Sequence, residues 1–193
     1  MSTKIYIVNL ESIDSEMEAL VGGKAYALSM LKKVDYKVPK AVVVTTEAYR
    51  EFLIENGLDE HIRFELGRKK FSDMCREEMW DASLRIQNMF IAADLSVQLV
   101  NVIKDVTMQE IGIVPVVVRS SDPGEDSTST SFAGIREYYV NNSGLDAILD
   151  YVSVVWASLW SDAALLYRKE IGLDPNKSTI VERRGGMLIH EQL

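Results

Sequence analysis

Two short stretches of this chain carry residue types that bind phosphate. In the first, the β-branched run Val114 to Val118 ends at Arg119 and passes into Ser120-Ser121, an Asp-Pro-Gly turn, and the hydroxylated residues Ser127, Thr128, Ser129, Thr130 and Ser131. A guanidinium at a strand tip, followed by hydroxyl donors and by glycines that bare their backbone N–H groups (Gly124 and Gly134), is chemistry suited to an anion. In the second, Gly22-Gly23-Lys24 precedes the helical pattern AYALSMLKK, placing an ammonium in the first turn, where backbone N–H groups point outward. Lys24 is followed by Ala25 rather than Ser or Thr, so this is not a Walker A loop. Taken singly, each stretch is also what an ordinary surface loop looks like.

The elements that must position these groups follow from pattern. Lys4 to Leu10 reads as an opening strand, joined by an acidic link to the helix after Lys24, whose stripe is Ala27, Leu28 and Leu31. Val42 to Val44 reads as a strand, and Thr45-Thr46 caps a helix from Glu47 to Asn56 that stops at Gly57, with Tyr49, Phe52 and Leu53 facing the core. The charged run at 59–73 reads as an exposed connection or the solvated face of a helix. Helical spacing places Met79, Trp80, Leu84 and Ile91 on one packing helix and Val100, Ile103 and Val106 or Thr107 on the next. Val114 to Val118 is a buried strand, with Pro115 tolerable only near its start. Glu137 to Val140 is another strand, and Asn141 to Gly144 a turn. Helices follow over Leu145 to Trp160 and from Ser161 or Asp162 to Gly172, with Trp156 and Trp160 in the core. Met187 to Leu193 is a closing apolar strand.

At 193 residues, with 47% hydrophobic and 26% charged residues, the chain can bury one core, and residues 1–193 are expected to form a single domain. A net charge of −8 argues against nucleic acid and anionic membrane as partners. Cys75 is the single cysteine, a core or helix-face thiol that excludes an internal disulfide. The N-terminus shows neither a signal peptide nor a membrane span, so a cytoplasmic location is expected. Glu125 and Asp126 fall where turn carboxylates cap backbone N–H groups, and no metal ligand is assigned.

The wording of four segments adds a family resemblance. VVVRSSDPGEDSTSTSFAG resembles the V-R-S-S-A-x-x-E-D-x-x-x-x-S-F-A-G segment of phosphoenolpyruvate synthases, pyruvate phosphate dikinases and rifampin phosphotransferases. LVGGKAYALSMLKKVDYKVPKAVVVTTEAYREFL resembles the segment that opens the same family, with Ala25, Ser29, Lys40 and Ala41 where the family usually has Gly, Gly, Pro and Gly. VWASLWSDAALLYRKEIGL is similar to a third, with Ala163 replacing an arginine, and the last apolar run aligns with the strand that leads toward the family's second lobe.

The resemblance implies an α+β fold, the first lobe of an ATP-grasp nucleotide-binding domain, with a mixed sheet and packing helices. It implies ATP as ligand, with Lys24 and Arg119 at the phosphates and Ser131 to Gly134 in the loop over them. Tyr138 stands where rifampin-type relatives have a threonine near the nucleotide, and His190 where a glutamine borders the adenine. Mg²⁺ is expected to be held by carboxylates of a second lobe outside this chain. Phosphoryl transfer would pass to a histidine on a separate domain. Neither His61 nor His190 lies in the family's Thr-x-His setting, so this chain by itself is expected to be inactive, with no catalytic residue of its own, and to be either part of a longer enzyme or a free-standing half domain. The alternatives are a non-catalytic nucleotide-binding or interaction module, and the same lobe of an antibiotic phosphotransferase.

Overall fold

A computed structural model describes residues 4–121, 126–127, 130–131, 138–142, 144–175 and 185–192. The chain opens with β1 (Ile7–Asn9), the one-turn helix α1 (Glu18–Val21) and α2 (Gly23–Lys33), then β2 (Ala41–Val44), α3 (Thr46–Glu55) and α4 (Leu58–Gly67). Two longer helices, α5 (Arg76–Ala92) and α6 (Val97–Glu110), precede β3 (Val116–Ser120) and a hairpin of β4 (Asp126–Ser127) and β5 (Thr130–Ser131). The chain continues through β6 (Tyr138–Asn142), α7 (Leu145–Ser158) and α8 (Asp162–Glu170) to β7 (Met187–Glu191).

Five strands form one sheet in the order β1-β2-β7-β3-β6, so the last strand is inserted at the centre between β2 and β3. Every described pairing is antiparallel, a narrower arrangement than the mixed sheet expected. The α+β class holds; strand direction depends on where helices return the chain, which residue patterns do not encode.

The sheet has two covered faces. One carries Val42, Val44, Val116, Val118, Met187 and Ile189 against α3, α5 and α7, with Tyr49, Phe52, Phe90 and Trp156 packed ring to ring. Trp156 and Trp160 are fully buried, and each indole N–H finds an acceptor, Gly185 O at 2.8 Å and Tyr49 Oη at 3.0 Å. The other face carries Val8, Ala41, Val43 and Leu188, covered by Val21 and Ala25.

Local chemistry sets the boundaries. Thr45 and Ser161 cap α3 and α8 by accepting from Ala48 N and Ala164 N, and Gly57 ends α3 in the left-handed region at φ 62°. Residues 58–67 are helical, so the first part of the charged run at 59–73 lies on a helix, α4, which within 59–67 buries Ile62, Glu65 and Leu66 and turns its other residues outward. Several expectations are corrected. Helix α2 buries the small residues Ala25 and Ser29 while Leu31 is exposed, because the helix approaches the sheet closely. Helix α5 buries Met79, Ala82, Ser83, Ile86 and Phe90, leaving Trp80, Leu84 and Ile91 outside. Cys75 is exposed at the start of α5, where the Glu78 carboxylate accepts its backbone N–H. Asn141 and Asn142 extend β6 instead of turning.

Candidate functional site

The site is built on a knot of backbone at the C-terminal tip of β3. Gly22, at φ 85° and ψ 162°, precedes α2 in a conformation that side chains rarely adopt and offers no capping oxygen of its own. The missing cap comes from Ser121, whose Oγ accepts from Ala25 N at 2.9 Å and donates to Val21 O at 2.9 Å. Ser121 N–H donates to Gly186 O at 2.7 Å, tying the same tip to the start of β7. The approach is too close for side chains: a Cβ on Gly22 would lie 1.6 Å from Ser121 O, and one on Gly186 2.3 Å from that oxygen. Glycine is required at both positions by contact.

The two cations predicted to bind phosphate flank this knot along the backbone. Lys24 is the second residue of α2, half-buried, one position before the amide that Ser121 caps. Arg119 is half-buried and two residues before Ser121. Val116 and Val118 belong to the helix-covered core, so strand alternation puts Val117 and Arg119 on the opposite face. Across from Arg119 stands Leu188, which packs with Val21 and Ala25 beneath α2. The lysine's helix and the arginine's strand therefore share one side of the sheet, joined through a buried serine.

His190 is placed on the same face, opposite Val117 on β3 and Ala41 on β2. Its Nδ1 is 2.9 Å from the Glu191 carbonyl oxygen, so in the neutral ring that nitrogen carries the proton and Nε2 is the acceptor. Burial holds the imidazole pKa below its ordinary value; the Glu191 carbonyl opposes this, and the positive charge of Arg119 adds to the depression. The ring is kept uncharged, with a lone pair available for a donor.

The remaining predicted residues are less defined. The Tyr138 backbone pairs with Arg119. Ser131 lies in β5, part of the separate two-stranded hairpin. Gly134 lies outside the described residues, as do Glu125, Thr128 and Ser129. Ser121, expected among the ligand's hydroxyl donors, is instead wholly buried and committed to the knot. Ala25, a departure from the family's glycine, packs its methyl in the second core and gives its N–H to Ser121. Sequence reading missed Gly186 and the capping role of Ser121; no local signal links residues 96 positions apart.

A lysine in the first turn of a glycine-flanked helix is chemistry that suits a phosphate. Among the described residues no group of three His, Cys, Asp or Glu side chains could hold a metal ion. No single described helix is long and apolar enough to cross a membrane.

Residues 18–181 match the family model described as pyruvate phosphate dikinase, AMP/ATP-binding domain. The chain is 36% identical over 173 residues to a phosphoenolpyruvate synthase of Aeropyrum pernix, covering 87% of this chain and 21% of the relative. It is 32% identical over 181 residues to the rifampicin phosphotransferase of Bacillus subtilis, covering 92% and 21%. A probable phosphoenolpyruvate synthase of Methanocaldococcus jannaschii is 32% identical over 174 residues, covering 88% and 14%. The chain thus spans about a fifth of the length of the first of these relatives. With the match running from the start of α1 to beyond α8, the chain belongs to the pyruvate phosphate dikinase AMP/ATP-binding domain family.

Proposed function

We propose that residues 1–193 form the first lobe of an ATP-grasp nucleotide-binding domain and that the lobe grips the triphosphate of ATP through Lys24 and Arg119. The observation that carries this reading is the Ser121 knot, which fixes the start of α2 to the tip of the Arg119 strand on one face of the sheet. The ammonium and guanidinium orient the polyphosphate and offset its charge, and that charge grows on phosphoryl oxygens as transfer proceeds. Farther along the face, neutral His190 presents Nε2 to a donor such as an exocyclic amine of the base. Ser131, Gly134 and Tyr138 are assigned to the nucleotide's surroundings from the resemblance. Mg²⁺, which neutralises phosphate charge when bound, is assigned to carboxylates of a second lobe. The parent reaction is ATP-dependent phosphoryl transfer to a histidine on another domain and onward to pyruvate or, in an antibiotic phosphotransferase, to a rifamycin. The chain supplies binding and orientation in that reaction, without a catalytic residue, in the cytoplasm.

Calorimetric titration of the chain with Mg-ATP tests the reading. Charge-assisted contacts are worth roughly 1.5–3 kcal/mol each, so Lys24→Ala and Arg119→Ala should each weaken binding by about tenfold or more. Binding indifferent to both substitutions would point instead to a module that keeps the fold without this phosphate site.

A further inference from the structure

We infer that Ser121 is a positioning residue for the nucleotide: its side chain is the cap of α2 supplied from β3, and it sets where Lys24 stands relative to Arg119. The inference rests on the proposed nucleotide reading and goes beyond it by naming the group that makes two separate cations one site.

A helix normally caps its N3 amide with the oxygen of its own N-cap residue. In α2 that residue is Gly22, which has no side chain, and the N3 amide is that of Ala25. Ser121 Oγ occupies the position of the missing oxygen at 2.9 Å while donating its proton to Val21 O, the carbonyl just before the glycine pair. One hydroxyl therefore grips the Gly22-Gly23-Lys24 turn from both sides. The main chain of Ser121 is held in turn by Gly186, so β3, β7 and α2 cannot slide past one another without breaking a buried hydrogen bond. Arg119 lies on β3 two residues before Ser121, which directly follows the strand's end, and Lys24 directly precedes the capped amide. A rotation of the α2 start would move the Lys24 backbone relative to β3 while leaving the main core untouched, because that core lies on the other face of the sheet.

The test is a double-substitution cycle on the 193-residue chain, with ATP affinity and amide hydrogen exchange both read by NMR. Ser121→Ala should accelerate exchange at Ala25 while the amides of α3 and α7 keep their protection. It should weaken Mg-ATP binding about fivefold to tenfold, the worth of a buried hydrogen bond or two. In a Lys24→Ala background the same substitution should cost ATP affinity little more, because the group it positions is gone. Equal losses in the two backgrounds, or unchanged Ala25 exchange, would overturn the proposal. Should the alanine chain fail to fold, Ser121→Cys keeps the volume, weakens the hydrogen bonds and carries the same comparison. A wild-type chain that binds no ATP would refute the nucleotide reading and the positioning role with it, while Ala25 exchange still decides whether Ser121 caps α2.

Discussion

Gly22→Ala offers a quantitative check on the knot, because Gly112 provides an internal control with the same φ of 85°. At Gly112 an added Cβ meets nothing within 4 Å, so alanine there bears the left-handed backbone penalty, about 1–2 kcal/mol. At Gly22 the Cβ would fall 1.6 Å from Ser121 O and 2.2 Å from Ser121 C, both backbone atoms that cannot rotate away. The turn must move by more than an ångström, which breaks the Ser121 bonds to Ala25 N and Val21 O. Two buried hydrogen bonds at about 1 kcal/mol each, added to ~1–3 kcal/mol of backbone strain, give a loss of about 3–5 kcal/mol. Urea unfolding of the two variants measures the difference directly. Equal destabilisation by Gly22→Ala and Gly112→Ala would refute the claim that contact with Ser121 is what requires glycine before α2.

Other outcomes follow from single contacts. Thr45→Ala removes the cap of α3 and should cost about 1 kcal/mol in unfolding free energy. Glu65 is buried and accepts from Arg68 at 2.9 Å and Arg85 at 2.8 Å, so Glu65→Ala should destabilise by about 2 kcal/mol or more in the same assay, beyond what a surface ion pair would give. His190 has a folded pKa below its unfolded value near 6.5, so the unfolded chain takes up the proton first as pH falls. The stability it contributes is complete above the unfolded pKa and is lost as pH drops from there through the folded pKa. His190→Gln should flatten that acid limb, and Arg119→Gln should raise the His190 pKa in an NMR titration in which His61 is the other imidazole.

Much of the fold was legible because its signals are local. Thr45 and Ser161 announce their helices, Gly57 stops one, and β-branched runs mark β2 and β3 within a residue or two. Trp80, Leu84 and Ile91 misled because α5 carries two apolar stripes, and the buried one uses smaller residues such as Ala82 and Ser83. Residue size ranks hydrophobicity; which stripe faces the sheet is decided by how closely α7 and α8 pack. Helix α2 misled in part: Leu28 packs on the second core as expected, but Ala27 and Leu31 are exposed and the fully buried positions are Ala25 and Ser29. The site divides similarly. Lys24 and Arg119 were readable as cations beside glycines or at a strand tip, but the knot that unites them joins backbone and side-chain groups from three segments, one of them a strand inserted from the end of the chain.

The most direct measurement of the central claim is residue-by-residue NMR mapping of Mg-ATP on the ¹⁵N-labelled chain. The account predicts shift changes concentrated at Gly22 to Ala25, Val117 to Ser121 and Leu188 to His190, the elements that meet around the Ser121 knot. Changes clustered instead around the exposed Trp80 face of α5, with the Gly22 turn and the Arg119 strand silent, would contradict it.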